Sequence, residues 1–382
     1  MLVLTNEDVE QVLTMDVCLQ AVEDCTREIA LGNVIPCLSR TVNQPLPGAS
    51  PGPTGPESTS ASYMLRLMPV IDLPDNAVVL RVNSTTMHVV EMYGAKRHVI
   101  GRPGSKMAGH HRSEKPGWLL LFDLSTGYLL AMVQDRHVQT MRVGAVGGLG
   151  AKYMARSDAH TIGLLGVGWM AGPQLLAHCA VRRISSVRVF SPNPQHRQIF
   201  SKQMSERLGI EVRPAPSAEE AVRRADIVIS ATNSIDPTFD PDWVGPGSHV
   251  YCVTPGEYDE RMIRKADVIA WAYPGQSEHS HGAPTNVADP AKVPGDQRYR
   301  THIWGLLEKH TGKRVYLTDL VTGRAKGRTD DGQITFNPSP AGGTAGIARF
   351  AVLVPRLYEL AKTKCVGHDL PDDWFRQEAE LY

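Results

Sequence analysis

The chain has 382 residues, with 40 Lys+Arg balanced by 40 Asp+Glu and 14 His. A formal net charge of zero lacks the basic excess that neutralises phosphates, so nucleic acids and anionic membrane surfaces are poor partners for the whole chain. At 42% hydrophobic and 21% charged residues it reads as globular rather than disordered, and the length points to two domains.

The six cysteines, at 18, 25, 37, 179, 252 and 365, form no CxxC pair and repeat no spacing. That favours buried free thiols over a disulfide framework and argues against a metal site. The opening MLVLTNEDVEQVLTMD carries acids early and no basic segment before an apolar run, so no signal peptide is expected. No stretch approaches the roughly 20 apolar residues a membrane helix needs. The expected compartment is the cytoplasm.

Residues 5–31 predict a helix pair, with Glu7 and Asp8 near its start and Val9, Val12, Leu13 and Val17 at helical spacing. Residues 45–56 hold five Pro and three Gly and predict a surface loop. Strand-like runs at 62–68, 77–83, 118–123 and 129–133 predict an antiparallel sheet. Between them, 84–116 is rich in Gly and His, with six Lys/Arg against two Glu. A solvated loop is expected there, with an anion-holding lid as the alternative. From 135 the pattern changes to helices at 142–154, 173–181 and 195–208 alternating with strands at 161–167, 186–190 and 226–231. That alternation means parallel βαβ units. Residues 274–300 read as irregular and 346–362 as a helix.

The strongest motif is Gly166-Val167-Gly168-Trp169-Met170-Ala171, a GxGxxA turn that follows a strand and opens a helix. The first glycine permits the tight turn and the second lets backbone approach a pyrophosphate. The small third residue allows close helix–strand packing, and helix N–H groups meet the phosphate charge. An NAD site usually ends its second strand with an acid that binds the ribose 2′-hydroxyl. Here the end reads Val189-Phe190-Ser191-Pro192-Asn193, and no acid occurs from 159 to 205. Ser191, Asn193 and Arg197 are the candidates to hold a 2′-phosphate, so NADP(H) is favoured, with NAD(H) the alternative.

Further motifs carry a resemblance. Gln139-Thr140-Met141-Arg142-Val143-Gly144-Ala145 and Ala151-Lys152-Tyr153 resemble the TxRTxA…AKYLA segment of the ornithine cyclodeaminase/mu-crystallin family. The GxGxxA turn, the run from Ala225 to Thr232, Pro246-Gly247, Gly327-Arg328, Ile334-Thr335-Phe336 and Gly346-Ile347-Ala348 follow in the family's order. The resemblance implies an α/β fold: a Rossmann NAD(P)-binding domain inserted in a discontinuous α+β substrate/dimerisation domain. Residues 1–134 and 326–382 would form the second domain and 135–325 the first. It also implies a homodimer and NAD(P)-linked chemistry on small α-imino, α-amino or keto acids. Thr140, Ala231, Thr232, Asn233 and Val253 join the turn as candidate cofactor residues, with Thr232 and Val253 lining the nicotinamide.

On the substrate side the resemblance assigns Arg40 and Arg142 to the α-carboxylate, a task suited to a guanidinium fork. The sequence departs from cyclodeaminases elsewhere. Arg66 stands where they carry a glutamate and Arg81 where they carry a lysine, and the loop holding their aspartate shortens to Val253-Thr254-Pro255-Gly256. Met170 replaces a common glutamine. Two arginines in a partly dry pocket repel a cationic side chain by several kcal/mol, so ornithine is a poor substrate. Arg40, Arg66, Arg81 and Arg142 together suit a dicarboxylic substrate. Arginine is a poor proton source, which leaves Glu257, Asp259, His88 or water to protonate the imine nitrogen. The expected activity is an NAD(P)H-dependent imine or ketimine reductase, or an amino-acid dehydrogenase. A cyclodeaminase-type lyase and a non-catalytic NADP(H)-binding protein are the alternatives.

Overall fold

A computed structural model describes residues 1–37, 39–45, 58–100, 106–107, 110–111, 117–274, 305–307, 309–338, 346 and 348–376. The expected loop at 45–56 and the irregular stretch at 274–300 fall almost wholly outside these residues.

The first unit is a nine-stranded sheet. Its strands are β1 (Leu2–Leu4), β2 (Val34–Pro36), β3 (Arg40–Pro45), β4 (Ser58–Asp72), β5 (Ala77–Met92), β6 (Ala95–Ile100), β9 (Gly117–Asp123), β10 (Leu129–Gln134) and β19 (His368–Asp369). The short strands β7 (Lys106–Met107) and β8 (His110–His111) pair with each other. The order is β19-β1-β10-β9-β5-β4-β2, with β3 also on β4 and β6 on β5. Helices α1 (Asn6–Val12), α2 (Met15–Leu31) and α3 (Asp135–Met154) join this unit's core, as does α9 (Phe350–Thr363) near the chain's end. Thr5 and Asp8 form a capping box on α1, and Gly32 ends α2 in the left-handed conformation at φ 78°.

The inner face follows from the period of two. Along β4 and β5, Met64, Met68, Val70, Val79, Arg81, Asn83 and Thr85 are buried. The outer face carries Leu65, Leu67, Ile71, Val78, Leu80, Val82, Leu120 and Phe122, none of them fully buried. A solvated antiparallel sheet normally shows polar residues there. Strands β4 and β5 run well past the predicted 62–68 and 77–83, so the expected loop at 84–116 is strand as far as 100. Ser84, Thr85 and Thr86 continue the ladder opposite Leu65, Met64 and Tyr63. Tyr93 and Gly94 then turn the chain with φ 54° and 72°, the two positive angles of a type I′ hairpin.

The second unit is an all-parallel eight-stranded sheet. Its strands are β11 (Thr161–Leu165), β12 (Ser186–Phe190), β13 (Glu211–Pro214), β14 (Ile227–Ser230), β15 (His249–Cys252), β16 (Val268–Trp271), β17 (Arg314–Tyr316) and β18 (Thr335–Asn337). The order is β13-β12-β11-β14-β15-β18-β16-β17, a doubly wound arrangement. Its helices are α4 (Ala171–Val181), α5 (Pro194–Leu208), α6 (Ala218–Val222), α7 (Glu260–Lys265) and α8 (Leu317–Val321). The predicted boundary at 326 is corrected by β18, which inserts between β15 and β16, so the chain leaves this sheet only after Asn337. Helix α3 joins the units. Val138, Met141, Ala145 and Leu149 sit in the first core and Ala151 in the second, and Gly144 and Gly148 bring it against the α4 backbone.

The described residues include no helix long and apolar enough to cross a membrane and no cluster of three metal-ligating side chains. All six cysteines are free. Cys18, Cys25 and Cys252 are buried as expected, Cys37 and Cys179 are half-buried, and Cys365 is exposed, lying beyond the last helix.

Asp72, fully buried at the end of β4, supplies one testable consequence. Burial, then the charges of Asp75 and Glu28, raise its carboxyl to about 7. The folded state therefore binds the extra proton between about pH 4 and pH 7, and stability falls as pH rises through that window. In urea titrations at pH 5 and pH 8, Asp72→Asn should lose this fall and gain on the order of 2–3 kcal/mol over wild type at the higher pH. Equal pH dependence in both proteins would refute the assignment.

Candidate functional site

The crevice lies at the carboxyl ends of β11 and β14. The chain runs from β11 to β12 and β13 on one side, then crosses to β14 on the other, which makes this the switch point where doubly wound sheets bind ligands. Gly166 leaves β11 at φ 97°, and a Cβ there would lie 2.5 Å from the Ala231 carbonyl oxygen. Gly168 faces open space, with nothing within 4 Å of where its Cβ would be. Ala171 is fully buried at the start of α4, where a larger side chain would spread helix from strand. This open cradle over a glycine turn fits the pyrophosphate of a dinucleotide.

Around the cradle the structure gathers most of the predicted cofactor residues. Gly166 N–H donates to the Phe190 carbonyl (2.8 Å), Ala231 N–H to Leu165 (2.8 Å) and Val253 N–H to Ser230 (2.9 Å). Trp169 is exposed and Met170 half-buried at the start of α4. At the end of β12, Asn193 caps α5, its side-chain oxygen accepting from the N–H groups of Gln195 (2.9 Å) and His196 (3.1 Å). Arg197 donates to the Ser191 carbonyl (3.0 Å) and lies 5.3 Å from the centre of the Phe190 ring. Asn233 is exposed beyond Thr232 in the loop after β14. Thr140 is buried within α3, its hydroxyl donating to His137 one turn back (2.9 Å).

Glu257 holds two of these loops together. Its carboxylate is fully buried and accepts from Thr232 N–H (2.5 Å), Ser230 hydroxyl (2.9 Å) and Thr254 N–H (2.8 Å). Burial pushes this carboxyl up while those donors pull it down. A carboxylate engaged on both oxygens by its own loops is a staple, which removes it as proton donor. Asp259 is also accounted for, since it caps α7 by accepting from Met262 N–H (3.3 Å). His88 lies seven residues along β5 from Arg81, hence on the opposite face of the strand.

The buried arginines form the second half of the site. Arg81, on the inner face of β5, donates Nε and Nη2 to one oxygen of Asp135 at 2.8 and 2.5 Å, and both side chains are buried. Asp135 opens α3, and two helical turns later Arg142 projects from the same face. The ring of Phe350 lies beneath both guanidiniums, 4.9 Å from Arg142 and 5.8 Å from Arg81. Burial, then the charges of Arg81 and Arg349, bring the Arg142 guanidinium down to about 9. It remains a cation at neutral pH, held by Gln139 Oε1 at 2.5 Å. Arg349 is fully buried at the start of α9.

The other two predicted arginines diverge. Arg66 is half-buried on the inner face of β4, opposite Asn83, and its Nε donates to Thr41 (3.3 Å). Arg40 is exposed and pairs with Leu67, which puts it on the outer face, so it does not converge with Arg81 and Arg142. The reason is register, because Thr41 rather than Arg40 takes the inward position beside Arg66. Asp135 and Phe350 were absent from the predicted site. The seven-residue spacing from Asp135 to Arg142 was a signal for the first, whereas Phe350 is distant in sequence and gave none. Gly117 is a third omission: a Cβ there would overlap the Asp135 carboxylate.

Known proteins resemble this chain along almost its whole length. An archaeal alanine dehydrogenase from Archaeoglobus fulgidus is 27% identical over 372 residues, covering 96% of this chain and 97% of its own. The structure of Thermococcus litoralis Δ1-pyrroline-2-carboxylate reductase with NADH and L-proline superposes with a TM-score of 0.74 at 25% identity, covering 97% and 100%. An archaeal alanine dehydrogenase dimer with bound NAD gives 0.72 at 25% identity, covering 97% and 99%. The sequence pattern of the ornithine cyclodeaminase/mu-crystallin family matches residues 1–342, nine-tenths of the chain, and the protein belongs to that family.

Proposed function

We propose that the protein is an NAD(P)H-dependent oxidoreductase acting on the C=N bond of a small α-imino acid, or on the corresponding amino acid in reverse. The observation that carries this is the pair of buried guanidiniums, Arg81 and Arg142, that both approach the Phe350 ring beside a dinucleotide cradle. Their mutual repulsion, with Arg349 adding to it, is relieved by an anionic ligand. Arg142 would grip the α-carboxylate, while Arg81, fixed by Asp135, would present its remaining N–H groups to the reacting end or to a second carboxylate. Arg66, further along the inner face, adds positive charge and disfavours a substrate with a free amine. The GxGxxA turn and the loops after β12, β14 and β15 would hold the cofactor, which when bound supplies the hydride for the imine carbon. None of Glu257, Asp259 and His88 stands at the arginines, so water is the proton source this geometry favours.

The absence of an acid from 159 to 205, with Arg197 beside Ser191, supports NADP(H) over the NAD(H) bound by the two solved relatives. The apolar outer face of the first sheet supports a homodimer closed over Leu67, Leu80, Val82 and Leu120. Purified protein should consume NADPH with at least one member of a panel of cyclic ketimines and α-keto acids supplied with amines, and should size as a dimer by light scattering. Ammonia release from ornithine without net cofactor oxidation would replace the proposal with the lyase. Tight NADPH binding with no turnover across the panel would leave the non-catalytic binder.

A further inference from the structure

We propose that the tip of the β5–β6 hairpin is a wall of the adenosine end of the dinucleotide site, with Arg97 a second cation, beside Arg197, for the 2′-phosphate of NADPH. This rests on the NADP(H) proposal above. The hairpin belongs to the first sheet, yet its tip docks on the second unit at the two loops that flank the adenosine half of the crevice. On the loop after β12, the Tyr93 hydroxyl lies 3.5 Å from Asn193 Nδ2. On the loop after β14, Arg97 Nη1 donates to Asn233 Oδ1 (3.4 Å), and Arg97 pairs with Ser234 in an antiparallel bridge. Ile235 N–H donates to the Lys96 carbonyl (3.0 Å), and Lys96 N–H donates to Asp236 Oδ2 (2.9 Å). A solvated loop has no reason to make these bonds.

The position matters because the residue that reads the ribose 2′-substituent in this fold stands at the end of the second strand, here Ser191 to Asn193. Tyr93 touches that segment, and the Arg97 guanidinium lies 5.7 Å from the Tyr93 ring centre, with Nε anchored on the Met92 carbonyl (3.1 Å). Arg97 thus approaches the ribose end from the hairpin while Arg197 approaches from α5. Partial burial lowers the Arg97 pKa, against the nearby charges of Tyr93 and Asp236, which raise it, so the guanidinium is held as a cation at the edge of the crevice. A 2′-phosphate brings nearly two negative charges and three acceptor oxygens, the partner that two guanidinium forks suit. The type I′ turn is the device that sets Tyr93 and Arg97 on one tip.

Calorimetric titration with 2′,5′-ADP and with 5′-AMP tests this without turnover, using wild type, Arg97→Ala, Arg97→Lys and Arg197→Ala. Wild type should bind 2′,5′-ADP at least tenfold more tightly than 5′-AMP. Arg97→Ala should weaken 2′,5′-ADP about tenfold, leave 5′-AMP within about twofold, and be partly rescued by Arg97→Lys. If wild type keeps its preference and Arg197→Ala loses it while Arg97→Ala does not, the hairpin role is overturned and the NADP(H) proposal stands. If wild type binds both ligands equally, the NADP(H) proposal fails and the cation role of Arg97 with it. Thermal melts of each variant exclude unfolding as the cause of a loss, and Tyr93→Ala provides a second probe of the tip.

Discussion

Replacing Arg142 with Met is expected to lower kcat/KM for the imino-acid substrate by about 10²–10⁴-fold while leaving the fold as stable as wild type or more so. A substrate carboxylate brought into a buried site and left without its cation costs about 3–5 kcal/mol, which sets the kinetic effect. The stability effect has the opposite sign. Arg142 is a buried charge repelled by Arg81 and Arg349, and a methionine, whose chain reaches only as far as the Nε position, leaves an apolar side chain there while removing that repulsion. Arg142→Lys should fall between the two in activity, because an ammonium cannot form the fork. Steady-state kinetics and thermal melts on the same preparations decide the matter. Unchanged kcat/KM in the methionine variant would remove Arg142 from the substrate site. A loss of activity that tracks a loss of folded protein would make its role structural.

The largest effect on stability is expected at Asp135. Its carboxylate is the described anion against Arg81, and Asp135→Asn would leave a buried guanidinium facing a neutral amide. Breaking a buried pair from one side costs about 3–5 kcal/mol. Gly117→Ala should act in the same direction, since its methyl group would occupy the space of that carboxylate. Removing both charges together, as in R81M/D135N, should recover most of the loss, although the substrate site goes with it. Urea titrations at neutral pH measure all three variants. A single-variant loss below about 1 kcal/mol would show that the pair is solvated in solution and would undercut its role in fixing Arg81.

The parts of this molecule legible in its sequence are those governed by local chemistry. The glycine turn, the alternation of strands and helices after 160 and the helices near the N-terminus each depend on residues within one or two elements, and they stand close to where the sequence placed them. Arg40 shows what local reading misses. Whether it faces inward depends on how β3 registers against β4, and a one-residue slip reverses every side chain. The hairpin beyond Asn83 was hidden for a different reason. Its polar Ser-Thr-Thr stretch and its glycine resemble a loop, and its ladder is completed by β4 residues some twenty positions earlier. Glu257 was visible as an acid near the nicotinamide side, but only the fold shows both its oxygens taken by backbone and hydroxyl donors. The Phe350 ring under the two arginines lies over two hundred residues from either, and nothing short of the assembled core brings it there.

The insertion of β18 between β15 and β16 has a consequence for how the chain acquires its structure. The parallel sheet has a gap in its middle until residue 337 has been made, and the first sheet's core waits longer still for α9. The first unit is not a continuous piece of chain, since its core needs both the N-terminal strands and α9, so the usual order in which an N-terminal domain completes itself during synthesis is closed to this protein. Long-range pairing must precede the burial that rewards it, which slows assembly and leaves strand edges of β15 and β16 open in the growing chain. The interleaving that sets Phe350 beneath Arg81 and Arg142 therefore ties completion of the substrate pocket to the last steps of folding.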